Sequence, residues 1–77
     1  MNDFASIDVR IEYANMAKMN KIRAWARKNG ATVNVQRYAR DAYEGSVRIH
    51  SPWDEGRSVV DGKAAELRAL IRDLKAD

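Results

Sequence analysis

Apolar residues recur along this chain with two different periods. From Ser58 to Leu74, the residues Val60, Ala64, Leu67, Ile71 and Leu74 alternate at spacings of four and three. That spacing aligns them on one stripe of an α-helix. Val59 and Leu70 widen the stripe, and the charged residues between belong to water. Ser58 with Asp61 has the spacing of an N-cap followed by an acidic third residue. The pattern predicts a helix over 59–75. A helix with one apolar stripe needs a flat apolar surface to lie on, and the earlier chain supplies it with period two.

Ser6 to Tyr13 alternates, with Ile7, Val9, Ile11 and Tyr13 on one side and Ser6, Asp8, Arg10 and Glu12 on the other. This predicts a half-buried strand over 6–13. Val33 and Val35 mark a second strand over 32–39, and Val47 and Ile49 a third over 46–50. Both place odd-numbered residues inward, so a hairpin between them requires a loop of odd length, three or five residues around Asp41, Ala42 and Tyr43. Gly45 is available for a bulge. Between the first two strands, Met16, Met19, Ile22, Trp25 and Ala26 fill one arc of a helix over 16–29. Asn15 suits its N-cap and Gly30 its left-handed C-terminal cap. Trp25, Met16 and Met19 are expected in the core, and Arg23 is expected to pack its stem there. Ser51 to Arg57 is irregular, with room for one helical turn after Pro52.

The element order βαββα, with right-handed crossovers, favours a three-stranded, mostly antiparallel sheet of order 1-3-2. Both helices would cover one face. The expected fold is α+β, one compact domain over residues 1–77. Its topology resembles a ferredoxin-like domain that lacks the last strand, and the resemblance implies that the first strand lies at an open edge.

Composition narrows the functional classes. At 77 residues a core supplies only roughly 3–5 kcal/mol net. There is no cysteine and a single histidine, His50. Disulfides are excluded and a zinc site lacks ligands. No apolar run nears the roughly 20 residues of a membrane span, and Met1 to Ser6 lacks the charged start and apolar centre of a signal peptide. A cytoplasmic protein without membrane attachment is expected. Charge is uneven: residues 1–40 carry eight basic and three acidic residues, a balance of +5, whereas residues 41–77 carry six and eight, a balance of −2.

The chain holds no thiol, no activated-serine pattern and no glycine-rich phosphate loop. Asp54 and Glu55 are adjacent acids in a loop, which are ordinarily just solvated. Neither an enzymatic activity nor a cofactor is expected. The first helix carries five basic residues and no acid. Lys18, Lys21, Arg27 and Lys28 fall on or beside its wet side and could track a phosphate backbone, although Arg27 and Lys28 also suit the negative end of the helix dipole. On the open sheet face, Tyr38 is the only outward aromatic among Arg10, Arg40, Arg48 and His50, too few for base stacking of the RNA-recognition type. Trp53, beside Pro52, either folds back over the helix–sheet seam or anchors a partner.

The candidate binding residues are therefore Lys18, Lys21, Arg27, Lys28, Arg10, Tyr38, Arg48 and Trp53. The expected function is that of a small docking or inhibitor protein of the phage or mobile-element type, with a larger protein or nucleoprotein complex as partner. In size and style the chain is similar to the anti-CRISPR proteins; these share no common motif, so no residue role carries over. A nucleic-acid-binding domain using the basic first helix, with RNA or DNA as partner, is the alternative. A module that dimerises through the edge strand Ser6 to Tyr13 is the third reading.

Overall fold

Alternation of apolar and polar side chains forces the strands to share one wet and one dry face, and the rest of the fold follows from covering the dry one. The computed structural model of the protein describes residues 5–51 and 57–76. Its elements are β1 (Ala5–Ala14), α1 (Met16–Asn29), β2 (Thr32–Ala39), β3 (Ala42–Ser51) and α2 (Arg57–Asp73). The sheet is antiparallel, in the order β1-β3-β2, as the element order predicted. The turn foreseen after Pro52, together with Trp53, lies outside the described residues.

One core joins all five elements. Val9, Ile11, Val47 and Ile49 from the sheet meet Met19, Ile22 and Ala26 from α1 and Val60, Ala64, Leu67 and Ile71 from α2. Each fully buried large aliphatic side chain among them contributes about 1.5–3 kcal/mol relative to exposure. Two placements differ from the expected ones. Met16 is 41 % exposed, because it opens α1 above the sheet's end. Trp25 is half-buried. Its ring packs against the core, while its Nε1–H donates to Glu66 Oε1 at 2.9 Å. An indole with one dry and one polar end takes a border position for that reason.

Asn15 caps α1 by accepting from the Lys18 N–H, and Gly30 ends it with φ 68°. A second donor of the first turn, the Met16 N–H, goes to Asp41 Oδ1 at 2.9 Å. Asp41 lies in the β2–β3 hairpin, so the hairpin tip is fastened to the start of α1. The hairpin corrects the odd-loop expectation. Its turn is two residues, Arg40 and Asp41, and Ala39 pairs with Ala42. Asp41 takes φ 55°, which aspartate tolerates better than most residues. Farther along, Arg37 pairs with Tyr43, so Tyr38 is one residue in excess on β2. That bulge restores the parity the short turn would have lost, and Val47 stays inward. β3 accordingly begins at Ala42, not Ser46.

β1 carries a second bulge. Ile11 pairs with Gly45 but Ala14 pairs with Tyr43, one residue too many on β1. The period breaks there: Ala14 is buried, whereas Tyr13 is 42 % exposed instead of inward. The N–H groups of Glu12 and Tyr13, displaced by the bulge, both donate to Ala76 O, at 3.0 and 3.2 Å. Ala76 reaches them from the end of α2. Lys75 N–H donates to Arg72 O and Ala76 N–H to Ile71 O, with Lys75 at φ 57°. This is a Schellman closure with lysine where glycine is usual. At the other end, α2 begins at Arg57, so Ser58 lies within its first turn and does not cap it.

α2 leaves the sheet from the end where Ala5 pairs with Ser51 and finishes beside Glu12 and Tyr13. It therefore runs in the same direction as β1, under that edge of the sheet.

Candidate functional site

Three surfaces gather the polar and charged side chains. The first is the wet face of the sheet. Register sets its rows: Asp8 opposite Arg48 and Thr32, then Arg10 opposite Ser46 and Asn34, then Glu44 opposite Gln36. Arg48 donates to both carboxylate oxygens of Asp8, at 2.9 and 3.2 Å. These hydrogen bonds hold the Asp8 carboxyl below its ordinary value and the Arg48 guanidinium above its own. Arg10 Nε donates to Glu12 Oε1 at 2.7 Å. Arg10 and Arg48 therefore each meet a carboxylate within the sheet. Gly45 and Ser46 are small, so a shallow hollow of about 530 Å³ opens over them, bordered by Asp8, Arg10, Asn34, Gln36 and Glu44. It offers hydrogen bonds of both senses and no aromatic platform. Tyr38 is 51 % exposed, at the bulge near the hairpin tip.

The second surface is α1. Here the fold separates the expected cations. Lys18 is half-buried, with its Nζ 5.6 Å from the Tyr13 ring centroid and 3.4 Å from Lys75 O. It is a tie between α1, β1 and the end of α2. Trp25 and Asn29 mark the side of α1 that faces α2, through Glu66 and Lys63. At 100° per residue, Lys21 and Lys28 lie on the shoulder next to that side. Arg27 lies with Arg23 on the opposite shoulder. All four are exposed, and none has an ion-pair partner among the described residues.

The third surface was not foreseen. Beside the free edge of β1 a hollow of about 290 Å³ is lined by Val9 and Ile71 and rimmed by Arg10, Arg68 and Arg72. Arg68 and Arg72 are exposed and have no ion-pair partner among the described residues. Reading α2 alone assigns both arginines to water. Their spacing of four, beside the inward Ile71 and under an expected edge strand, was the available signal.

Among the described residues no group of three or more histidine, cysteine, aspartate or glutamate side chains is placed to hold a metal ion. No buried side-chain nitrogen or oxygen among them lacks a hydrogen-bond partner. No described helix is long and apolar enough to cross a membrane. No protein-family model, curated protein or solved structure matches the chain.

Proposed function

We propose that this chain is a non-enzymatic docking protein that binds a larger protein or nucleoprotein complex and inhibits or adapts it by occupying its surface. The observation that supports this reading is the β1 edge. The bulge and Ala76 satisfy only its Glu12–Tyr13 end, and the remainder borders a hollow of mixed lining, floored by Val9 and Ile71 and rimmed by arginines. An unguarded edge strand with an apolar flank is a template for a partner's strand, and arginine is enriched among residues that dominate binding. The size and style shared with anti-CRISPR proteins agree with an inhibitor that needs no chemistry of its own.

The second reading, nucleic-acid binding, draws on the four cations of α1 that lack carboxylate partners among the described residues. They stand on two shoulders rather than in one row, which suits a phosphate track less well. Affinity purification from the source cells, with partners identified by mass spectrometry and the complex rebuilt from purified components, tests the first reading. Failure to recover any protein or nucleoprotein, together with micromolar or tighter binding of random-sequence DNA or RNA at physiological salt, would promote the second.

A further inference from the structure

We infer that the β1–α2 hollow receives an extended acidic peptide segment as an added strand on β1, with one apolar side chain over Val9 and Ile71 and carboxylates on Arg68 and Arg72. The inference rests on the docking reading and names the chemistry of the partner. Three observations converge on it.

The backbone comes first. The Glu12 N–H leaves the sheet to reach Ala76 O. On an extended strand alternate residues direct their N–H and C=O groups to the same side. Ser6, Asp8 and Arg10 therefore present theirs at the edge away from β3, and an incoming strand has a ladder to join.

The hollow comes second. It sits under the middle of that ladder, with Val9 from β1 and Ile71 from α2 as its floor. Every second side chain of an added strand points to this side of the sheet.

Charge spacing comes third. α2 runs alongside β1 in the same direction, so Arg68 and Arg72 form a row along the edge. Four helical residues advance about 6 Å, and two residues of an extended strand advance about 6.8 Å. Two carboxylates at alternate positions, both on the same side of the apolar residue along the segment, match that row. Arg10 is already engaged by Glu12; Arg68 and Arg72 have no such partner among the described residues.

A second copy of this chain fits less well. Two-fold pairing about Val9 would set Asp8 against the other copy's Arg10. Both groups already have partners, Arg48 and Glu12, so little is gained. The same pairing brings the Arg68–Arg72 rows of both copies toward the axis without a carboxylate between them, and like charges so placed repel.

The test uses the full chain and a fluorescein-labelled heptapeptide, Thr-Val-Thr-Glu-Thr-Glu-Thr, read by anisotropy. The peptide should bind, and its analogue with lysine in place of glutamate should not. The double change Arg68→Glu with Arg72→Glu, at two exposed positions, should weaken binding by roughly tenfold or more with an unchanged circular dichroism spectrum. N-methylation of the peptide at the residues whose N–H groups face β1 should abolish binding, because strand addition needs those donors.

Binding that survives N-methylation would overturn the inference in favour of simple anion capture. Binding that survives the arginine reversals would overturn the assignment of the site. A dimer in sedimentation that the peptide fails to dissolve would assign the edge to a second copy instead. Should the peptide not bind while a partner co-purifies undiminished with the arginine-reversed protein, the inference falls and the docking reading stands. Should no partner co-purify at all, the docking reading itself falls.

Discussion

Gly45 and Val35 face each other across the β3–β2 ladder so closely that a Cβ built on Gly45 would lie 2.6 Å from Val35 Cα. It would also collide with the Asn34 carbonyl oxygen. Gly45 has φ 153°, a backbone that side-chain-bearing residues rarely adopt, and β1 closes the other side through Ile11. Gly45→Ala should therefore destabilise the protein by about 1–3 kcal/mol, the usual range for overpacking or backbone strain. A urea midpoint equal to that of the wild type would show that the central strand relaxes freely.

Leu67 is fully buried between α2 and the sheet. Leu67→Ala should cost about 2–5 kcal/mol, the lost transfer energy plus the cavity. In a domain of this length that is comparable to the whole stability. Loss of the folded circular dichroism signal, or a large drop in midpoint, is expected. An unchanged midpoint would contradict a central role for this leucine.

Lys75 closes α2 with φ 57°. Left-handed backbone costs a non-glycine residue about 1–2 kcal/mol, while glycine loses roughly 0.5–1 kcal/mol more chain entropy than alanine on folding. Lys75→Gly should therefore stabilise modestly, raising the thermal midpoint by a few degrees. Lys75→Ala should not. The Lys18 tie is to the Lys75 backbone oxygen, so neither change removes its acceptor. A lower midpoint for the glycine variant would mean that the closure is not the one described.

Asp8 titrates below its ordinary value because Arg48 hydrogen-bonds its carboxylate; partial desolvation opposes this, and the charge of Arg48 adds to it. A carboxyl depressed in the folded state stabilises it above the unfolded value of about 3.9, and the contribution is lost as pH falls through the folded value. The pair is exposed, so its effect on stability should be small and sensitive to salt. A carbon-13 titration of the Asp8 carboxyl should show the depressed value, and Arg48→Met should raise it. No change on that substitution would remove the pair as the cause.

Where apolar periodicity was unbroken, the sequence was sufficient: α1 begins and ends at its two expected caps. It failed at the bulges. Tyr38 and the Glu12–Tyr13 step add residues that alternation cannot register, because an extra residue is decided by partners distant in sequence, here Asp41 with Met16 and Ala76 with β1. Gly45 made β3 look shorter than it is, since low strand propensity hid a residue chosen for close approach. The site was less legible than the fold. Arg68 and Arg72 matter only beside β1, and adjacency of a helix face to a strand edge is a property of the tertiary structure. The wet side of α1 was visible, yet its division into two shoulders, with Lys18 turned to Tyr13, required knowing where α2 lies.

Lys21 and Lys28 separate the two functional readings. They share one exposed shoulder of α1, with no carboxylate partner among the described residues. Because neither is buried, changing both to glutamate should leave the fold and the thermal midpoint nearly unchanged. If α1 holds nucleic acid directly, affinity for random-sequence DNA or RNA should fall steeply with salt, as each neutralised phosphate releases counterions, and the double change should abolish binding. If the chain docks on a protein or nucleoprotein, free nucleic acid should bind negligibly in both forms. The double change should then weaken only the complex with that partner, chiefly by slowing association, since charges outside the contact steer encounters more than they hold complexes together. The second pattern is the expected one, because the α1 cations stand on two shoulders and the exposed aromatics of the sheet among the described residues, Tyr13 and Tyr38, are too few for base stacking. Micromolar or tighter binding of random-sequence nucleic acid at physiological salt, lost in the double variant, would reverse that expectation and make α1 the working surface.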